Sequence, residues 1–181
     1  MEFAAMEVDS SHALARPFLT FELLFEDMPN AFATLLPPQL QDPTLLAEFC
    51  MPDPYADVFF VTGPSHITRP AHLIYHFFMQ VTQMQGDSDP FCFAYHMVSR
   101  VGVALDVLAA GGLRLSRANL TGVLIGVLTV LYKSIDDHHL TNTDITKAFQ
   151  ELVTLQKLNK IEVHVFLLLM KAPNTRLLFT L

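Results

Sequence analysis

Residues 116–137 read SRANLTGVLIGVLTVLYKSIDD, and this stretch decides the fold. From Leu120 to Tyr132, thirteen residues carry no charge, while Leu120, Leu124, Val127, Leu128 and Leu131 recur at steps of three and four. That is the period of an α-helix. Ser116 stands where a cap belongs, and the helix predicted from Arg117 to about Ser134 ends on Lys133, a cation where the helix dipole favours one. Apolar residues cover almost its whole circumference, so it must be surrounded by other elements. Thirteen residues are too few for a bilayer, which needs about 18 or more, so the segment reads as the centre of a globule. Gly122 and Gly126 lie four apart, on one line of this helix, and predict a close approach by a neighbour.

Helix signals continue on both sides. Towards the N-terminus, Gly111-Gly112 end a helix opened by the cap Asp89 and the first-turn Pro90 and running through about Ala109. Before the breaker Gln85-Gly86-Asp87-Ser88-Asp89-Pro90, the segment Arg69–Gln83 sets Leu73, Phe77 and Gln80-Val81 at helical spacing. Towards the C-terminus, the polar break Asp136-Asp137-His138-His139 precedes a shorter helix from Asn142 or Thr143 through about Val153. Thr154 then opens a last helix with Leu155, Leu158, Ile161, Val165 and Leu168 as its buried face. No segment alternates with period two for long enough to form a sheet. The expectation is an all-α, five-helix bundle over residues 66–172 with a central apolar third helix, followed by a tail, 173–181.

Composition changes near residue 65. Nine of the 11 prolines fall in the first 70 residues, and residues 1–65 carry ten acidic groups against one basic, Arg16. The remainder carries eight acidic and ten basic groups. The chain is an acidic, proline-punctuated N-terminal extension joined to a nearly neutral apolar body. Within the extension, Leu14, Phe18, Phe21, Phe25 and Met28 step by four and three, which puts them on one helix face, with Pro17 in the first turn and Pro29 as the stop. Asp42 before Pro43 suggests a cap for a short helix through Phe49. These stripes are expected to pack on the body; a docking peptide for a separate partner is the alternative.

The whole chain of 181 residues is 51% hydrophobic and 16% charged, which favours a folded core over global disorder. With 11 Lys+Arg against 18 Asp+Glu it is a poor nucleic-acid binder, and no membrane partner is expected. Two cysteines, Cys50 and Cys92, make no disulfide framework and favour a reducing compartment. The first basic residue is Arg16, so the basic start of a secretory signal is missing, and an intracellular location, cytoplasmic or nuclear, is expected. Phosphate-loop, dinucleotide-fingerprint and nucleophile-elbow motifs are absent, so neither an enzyme nor a cofactor is expected. His72 and His76 on one helix, with Cys92 and His96 on the next, have zinc-ligand chemistry at four-residue spacing. Without a glutamate after His72 they lack the metalloprotease pattern, and partly exposed histidines with a buried thiol are expected instead of a metal.

Two charges stand out against this background. Lys133 follows the uncharged run, and Glu162 lies midway along the otherwise apolar last helix. Each is costly to desolvate unless it meets a partner. From the residues alone, a pairing of the two and a shared external ligand are both open.

A resemblance bears on that choice. Asn119 opens the third helix, Lys133-Ser134-Ile135-Asp136-Asp137 ends it, Asn142 follows in the next loop, and Leu158-Asn159-Lys160-Ile161-Glu162 begins the fifth. Ser99-Arg100 and Tyr75 fall in the second and first helices. In this order the chain resembles the cyclin box, specifically the single-box P/U-type cyclins of the phosphate pathway, over roughly residues 66–172. It departs from them in having Phe77 and Phe78 in place of a first-helix arginine, Ser99 in place of an aspartate, and Ala148-Phe149-Gln150 in place of Val-Gly-Gly. The resemblance implies a non-catalytic subunit that binds and activates a cyclin-dependent protein kinase. Lys133 would donate to kinase carbonyls and Glu162 accept from kinase amides. Asn119, Asp136, Asp137 and Asn142 would act as helix caps or loop supports. Lys133→Ala and Glu162→Ala are both expected to leave the melting temperature nearly unchanged. The competing expectation is a helical scaffold whose acidic leader docks a basic partner. That leader could bind the body, steer a kinase electrostatically or restrain access to it.

Overall fold

The computed structural model describes residues 36–63, 69–85, 90–135, 140–149 and 152–172. Among them are a short helix α1 (Pro38–Gln41), a 3-10 turn (Pro43–Leu45), α2 (Ala56–Phe59), α3 (Pro70–Gln85), α4 (Pro90–Ala110), α5 (Leu120–Ile135), α6 (Asn142–Ala148) and α7 (Leu155–Lys171). No strand occurs among the described residues, and the protein is an all-α bundle. The stripe from Leu14 to Met28, the cap Asp89, the break Asp136–His139 and the tail 173–181 lie outside the described residues. No described helix is long and apolar enough to cross a membrane.

Helix α5 is the centre. Val123, Leu124, Ile125, Val127, Leu128, Leu131 and Tyr132 are all fully buried. Helices α2, α3, α4 and α7 pack around it. Burying a side chain of this size stabilises the fold by about 1.5–3 kcal/mol, so this helix supplies much of the driving force. The aromatic end of the core is built on Phe77, which stacks on Phe149 at 5.3 Å and meets Tyr132 edge-on at 5.9 Å. Phe77 and Phe78, the two departures from the cyclin pattern in the first helix, are buried there.

Local chemistry sets the ends of the helices. Helix α4 stops in a Schellman turn: Gly112, at φ 94°, donates to the Ala109 carbonyl, and Leu113 donates to Leu108. At α6, Thr141 and Asp144 form a reciprocal capping box, and at α7 the Thr154 hydroxyl accepts from the Lys157 amide.

Several boundaries differ from the sequence expectation. The Asp42 cap is present, its carboxylate accepting from the Thr44 amide, but it opens only the turn Pro43–Leu45. The chain then runs extended, and the carbonyls of Ala47 and Glu48 accept from the amides of Arg117 and Ala118. In this form the chain presents both carbonyls to the loop before α5. The same two bonds satisfy amides ahead of α5, which begins at Leu120 instead of Arg117. Ser116 does not cap with its side chain: the hydroxyl is buried without a partner. Helix α6 ends at Ala148 because Phe149 leaves helical geometry to stack on Phe77, and Val153 sits in the turn that follows. Leu155 is 40% exposed and does not join the buried face of α7.

The extension is part of the same core over its described residues, with Leu36, Leu40 and Phe59 buried against the bundle. Gly122 permits this. A Cβ there would sit 2.2 Å from the Phe59 carbonyl oxygen, so only glycine lets the end of α2 rest on the backbone of α5.

Candidate functional site: an ion pair beside an apolar groove

Gly126 does for α7 what Gly122 does for α2. A Cβ at position 126 would lie 2.6 Å from Val165 Cγ2 and 2.7 Å from Ile161 Cγ2. The two helices therefore meet at close range. Two helical turns beyond Gly126, at the end of α5, Lys133 comes against Glu162, the residue after Ile161. Its Nζ donates to Glu162 Oε1 at 2.6 Å, with side chains 27% and 20% exposed. Helix α6 completes the arrangement. The Asn142 side-chain amide donates to the other oxygen of Glu162 and, at 2.7 Å, to Asn159 Oδ1. One carboxylate thus ties the end of α5 and the start of α6 to the middle of α7.

Among the described residues the pair keeps unused hydrogen-bonding capacity. An ammonium has three N–H donors, and among the described residues Lys133 gives one of them, to Glu162. Each Glu162 oxygen accepts one bond and has a second lone pair. Both side chains line a groove of about 480 Å³ with Val130, Ser134, Val163, Phe166 and Leu167. Along the outer side of α7, Val163, Phe166, Leu167 and Met170 are 52%, 46%, 48% and 56% exposed. They fall at i, i+3, i+4 and i+7, one continuous stripe. Helix α7 is therefore apolar on two faces, one turned to the core and one turned outward.

The outward stripe is the surface feature missed in the sequence. Its signal was present in Val163, Phe166 and the run Leu167–Met170, offset from the core positions Leu158, Ile161, Val165 and Leu168. A single stripe satisfied the expectation of a packed helix, and the second was absorbed into it.

The other expected residues are placed as follows. Asn119 lies at the opposite end of α5 and does not join the pair. It is buried, accepts from the Ser116 amide at 2.8 Å, and donates to the Arg114 carbonyl at 2.9 Å and to Asp53 at 3.2 Å. It clamps the loop before α5 to the extension. Asn142 is not the cap of α6, since Thr141 takes that role; its side chain spans to α7. Asp136 and Asp137 lie outside the described residues. Tyr75 and Arg100 are partly buried and Ser99 is exposed. His72 and His76 are exposed on α3, and the side chains of Cys92 and His96 are not described. No group of three metal-ligating side chains occurs among the described residues.

No protein-family model, curated protein or solved structure matches this chain.

A second hollow of about 470 Å³ lies between the extension and the start of α7, with Phe49, Met51, Asp53, Asp57, Phe60 and Lys157 in its lining. Lys157 donates to the Asp57 carbonyl at 2.6 Å. Burial, and then the neighbouring charge of Lys160, pushes its ammonium below the ordinary lysine value of 10.5.

Proposed function

We propose that this protein is a non-catalytic regulatory subunit. It binds a cyclin-dependent protein kinase through Lys133, Glu162 and the outward face of α7, and activates it by binding the active conformation better than the inactive one. The observation that carries this reading is the partly buried ion pair at the rim of an apolar groove. A lysine and a carboxylate that neutralise each other, yet retain unused donors and lone pairs among the described residues, are pre-arranged to meet the carbonyls and amides of a foreign backbone. Neither has to break the internal bond to do so. The apolar stripe beside them supplies the non-directional part of the contact. Hydrogen bonds to charged groups contribute roughly 1.5–3 kcal/mol each in a desolvated interface, a factor of about ten or more in affinity.

The test is affinity capture of the full chain from native cells, followed by identification of the captured proteins and a histone-type kinase assay of the eluate. A cyclin-dependent kinase is expected in the eluate. Lys133→Ala and Phe166→Asp, both still melting cooperatively, should each weaken its binding about ten-fold or more. An eluate without kinase, or variants that bind as tightly as the parent chain, would overturn the reading.

A further inference from the structure

The direction of hydrogen bonding spreads outward from Glu162. An ionised carboxylate only accepts, so the group of Asn142 that meets its second oxygen must be the amide nitrogen. That nitrogen carries two N–H groups, and its other acceptor is Asn159 Oδ1 at 2.7 Å. The side-chain oxygen of Asn142 is buried without a partner among the described residues. Turning the amide over would not relieve it, because that oxygen would then face the oxygens of Glu162 and Asn159, acceptor against acceptor. The Asn142 amide therefore has one permitted orientation, and Asn159 takes its own from it. With its oxygen committed to Asn142, Asn159 keeps both N–H groups of its amide without a partner among the described residues.

Asn159 is placed to use those donors. It is exposed, and it stands four residues before Val163 and seven before Phe166, so it continues the outward stripe of α7 by one turn. Glu162, three residues on, is its neighbour on the helix surface. Lys133, Glu162 and Asn159 thus offer donor, acceptor and donor beside one apolar surface.

We propose that Asn159 is a third polar contact of this face, donating from its amide to a backbone carbonyl of the partner, and that Asn142 is a positioning residue that aims Asn159 and Glu162 together. The arrangement fits a main-chain segment that brings an amide to Glu162 and a carbonyl to each of the flanking donors. The contact rests on the kinase reading above; the positioning by Asn142 does not.

A double-variant cycle tests the positioning without any partner. Asn142→Ala and Glu162→Ala are measured singly and together by urea unfolding of the full chain. Glu162→Ala already takes an acceptor from Asn142, so the double variant should lose clearly less stability than the sum of the two single losses. Additive losses would overturn the positioning. The contact is tested on the kinase captured with the parent chain. Asn159→Ala should weaken binding about three- to ten-fold, the worth of one neutral hydrogen bond. Asn159→Asp separates the two roles of the side chain, because it keeps the oxygen that accepts from Asn142 and loses both donors. A contact residue requires binding at least as weak as that of Asn159→Ala, in a protein that still melts cooperatively. A residue that merely braces Asn142 gives parent-like binding, and that result would overturn the contact. A loss that disappears at about 0.5 M salt is a charge effect and counts against the contact too. Non-additive unfolding with no kinase captured would remove the kinase reading and the contact with it, and leave Asn142 as the residue that positions Glu162. Additive unfolding with kinase captured would do the reverse, leaving the kinase reading without this positioning.

Discussion

Replacing Gly126 with alanine probes the contact that sets the geometry of the site. The added Cβ would lie 2.6 Å from Val165 Cγ2 and 2.7 Å from Ile161 Cγ2, whereas carbon atoms rest at about 3.5–4.0 Å. Both neighbours are β-branched and stiff at χ1, so neither swings aside. The helices must part by about 1 Å. Overpacking of this kind costs typically 1–3 kcal/mol, offset by about 1 kcal/mol because alanine is the better helix former. The net expectation is a loss of up to about 2 kcal/mol. For a chain of this length that lowers the melting temperature by several degrees, at about 2–4 °C per kcal/mol. Thermal unfolding followed by far-ultraviolet circular dichroism reads this directly. Since the same separation moves Lys133 from Glu162, the kinase binding proposed above should fall further than the stability loss accounts for. Gly122→Ala is the control. Its Cβ would meet the Phe59 backbone, so it should destabilise the seat of the extension without acting at the α5–α7 contact. A Gly126→Ala protein with a raised melting temperature would refute the close packing, because helix propensity alone would then have decided the outcome.

Lys133→Ala and Glu162→Ala should differ in stability, contrary to the sequence expectation that both are neutral. Lysine loss removes one partly buried bond, whereas loss of the carboxylate strips partners from Lys133 and Asn142 together; losses of about 1 and 2 kcal/mol are expected, measured by urea unfolding. A pH titration should find the Asp144 carboxyl at about 2, held below its ordinary 3.8 by hydrogen bonds from the Lys147 ammonium and then the Thr141 hydroxyl. A depressed folded-state pKa stabilises above the unfolded value and is lost as pH falls through the folded one. Asp144→Asn should therefore flatten the dependence of stability on pH between about 4 and 2. A side-chain carbon shift midpoint near 3.8 would show that the capping box is not held.

The elements legible in the sequence were those encoded by local pattern. The central helix followed from an uninterrupted apolar period, the end of α4 from Gly111-Gly112, and the start of α7 from Thr154. The errors share a tertiary cause. Nothing near Arg117 announces that its amide is taken by Ala47, seventy residues away, and nothing in Phe149 announces a stacking partner at Phe77. The proximity of Lys133 to Glu162 is of the same kind. Twenty-nine residues apart, the pair was an expectation of the family pattern and an open alternative from the residues; two glycines on α5, read only as allowing close contact, determine which neighbours come near.

The two apolar faces of α7 have different consequences. The inner face is explained by the core. The outer one leaves four large side chains about half in water on a helix whose other positions are free to be polar, and a packed bundle gains nothing from that arrangement. It becomes intelligible if something is pressed against the helix. Because Glu162 stands on that same helix and reaches both α5 and α6, any occupant of the outer face also bears on the junction of three helices. A ligand that holds α7 against α5 would strengthen the ion pair and raise the melting temperature, as any ligand selective for the folded state does. One that merely covers the stripe without engaging the pair would stabilise the wild type and Lys133→Ala alike. The difference between those two shifts therefore separates recognition by the charges from recognition by the apolar surface.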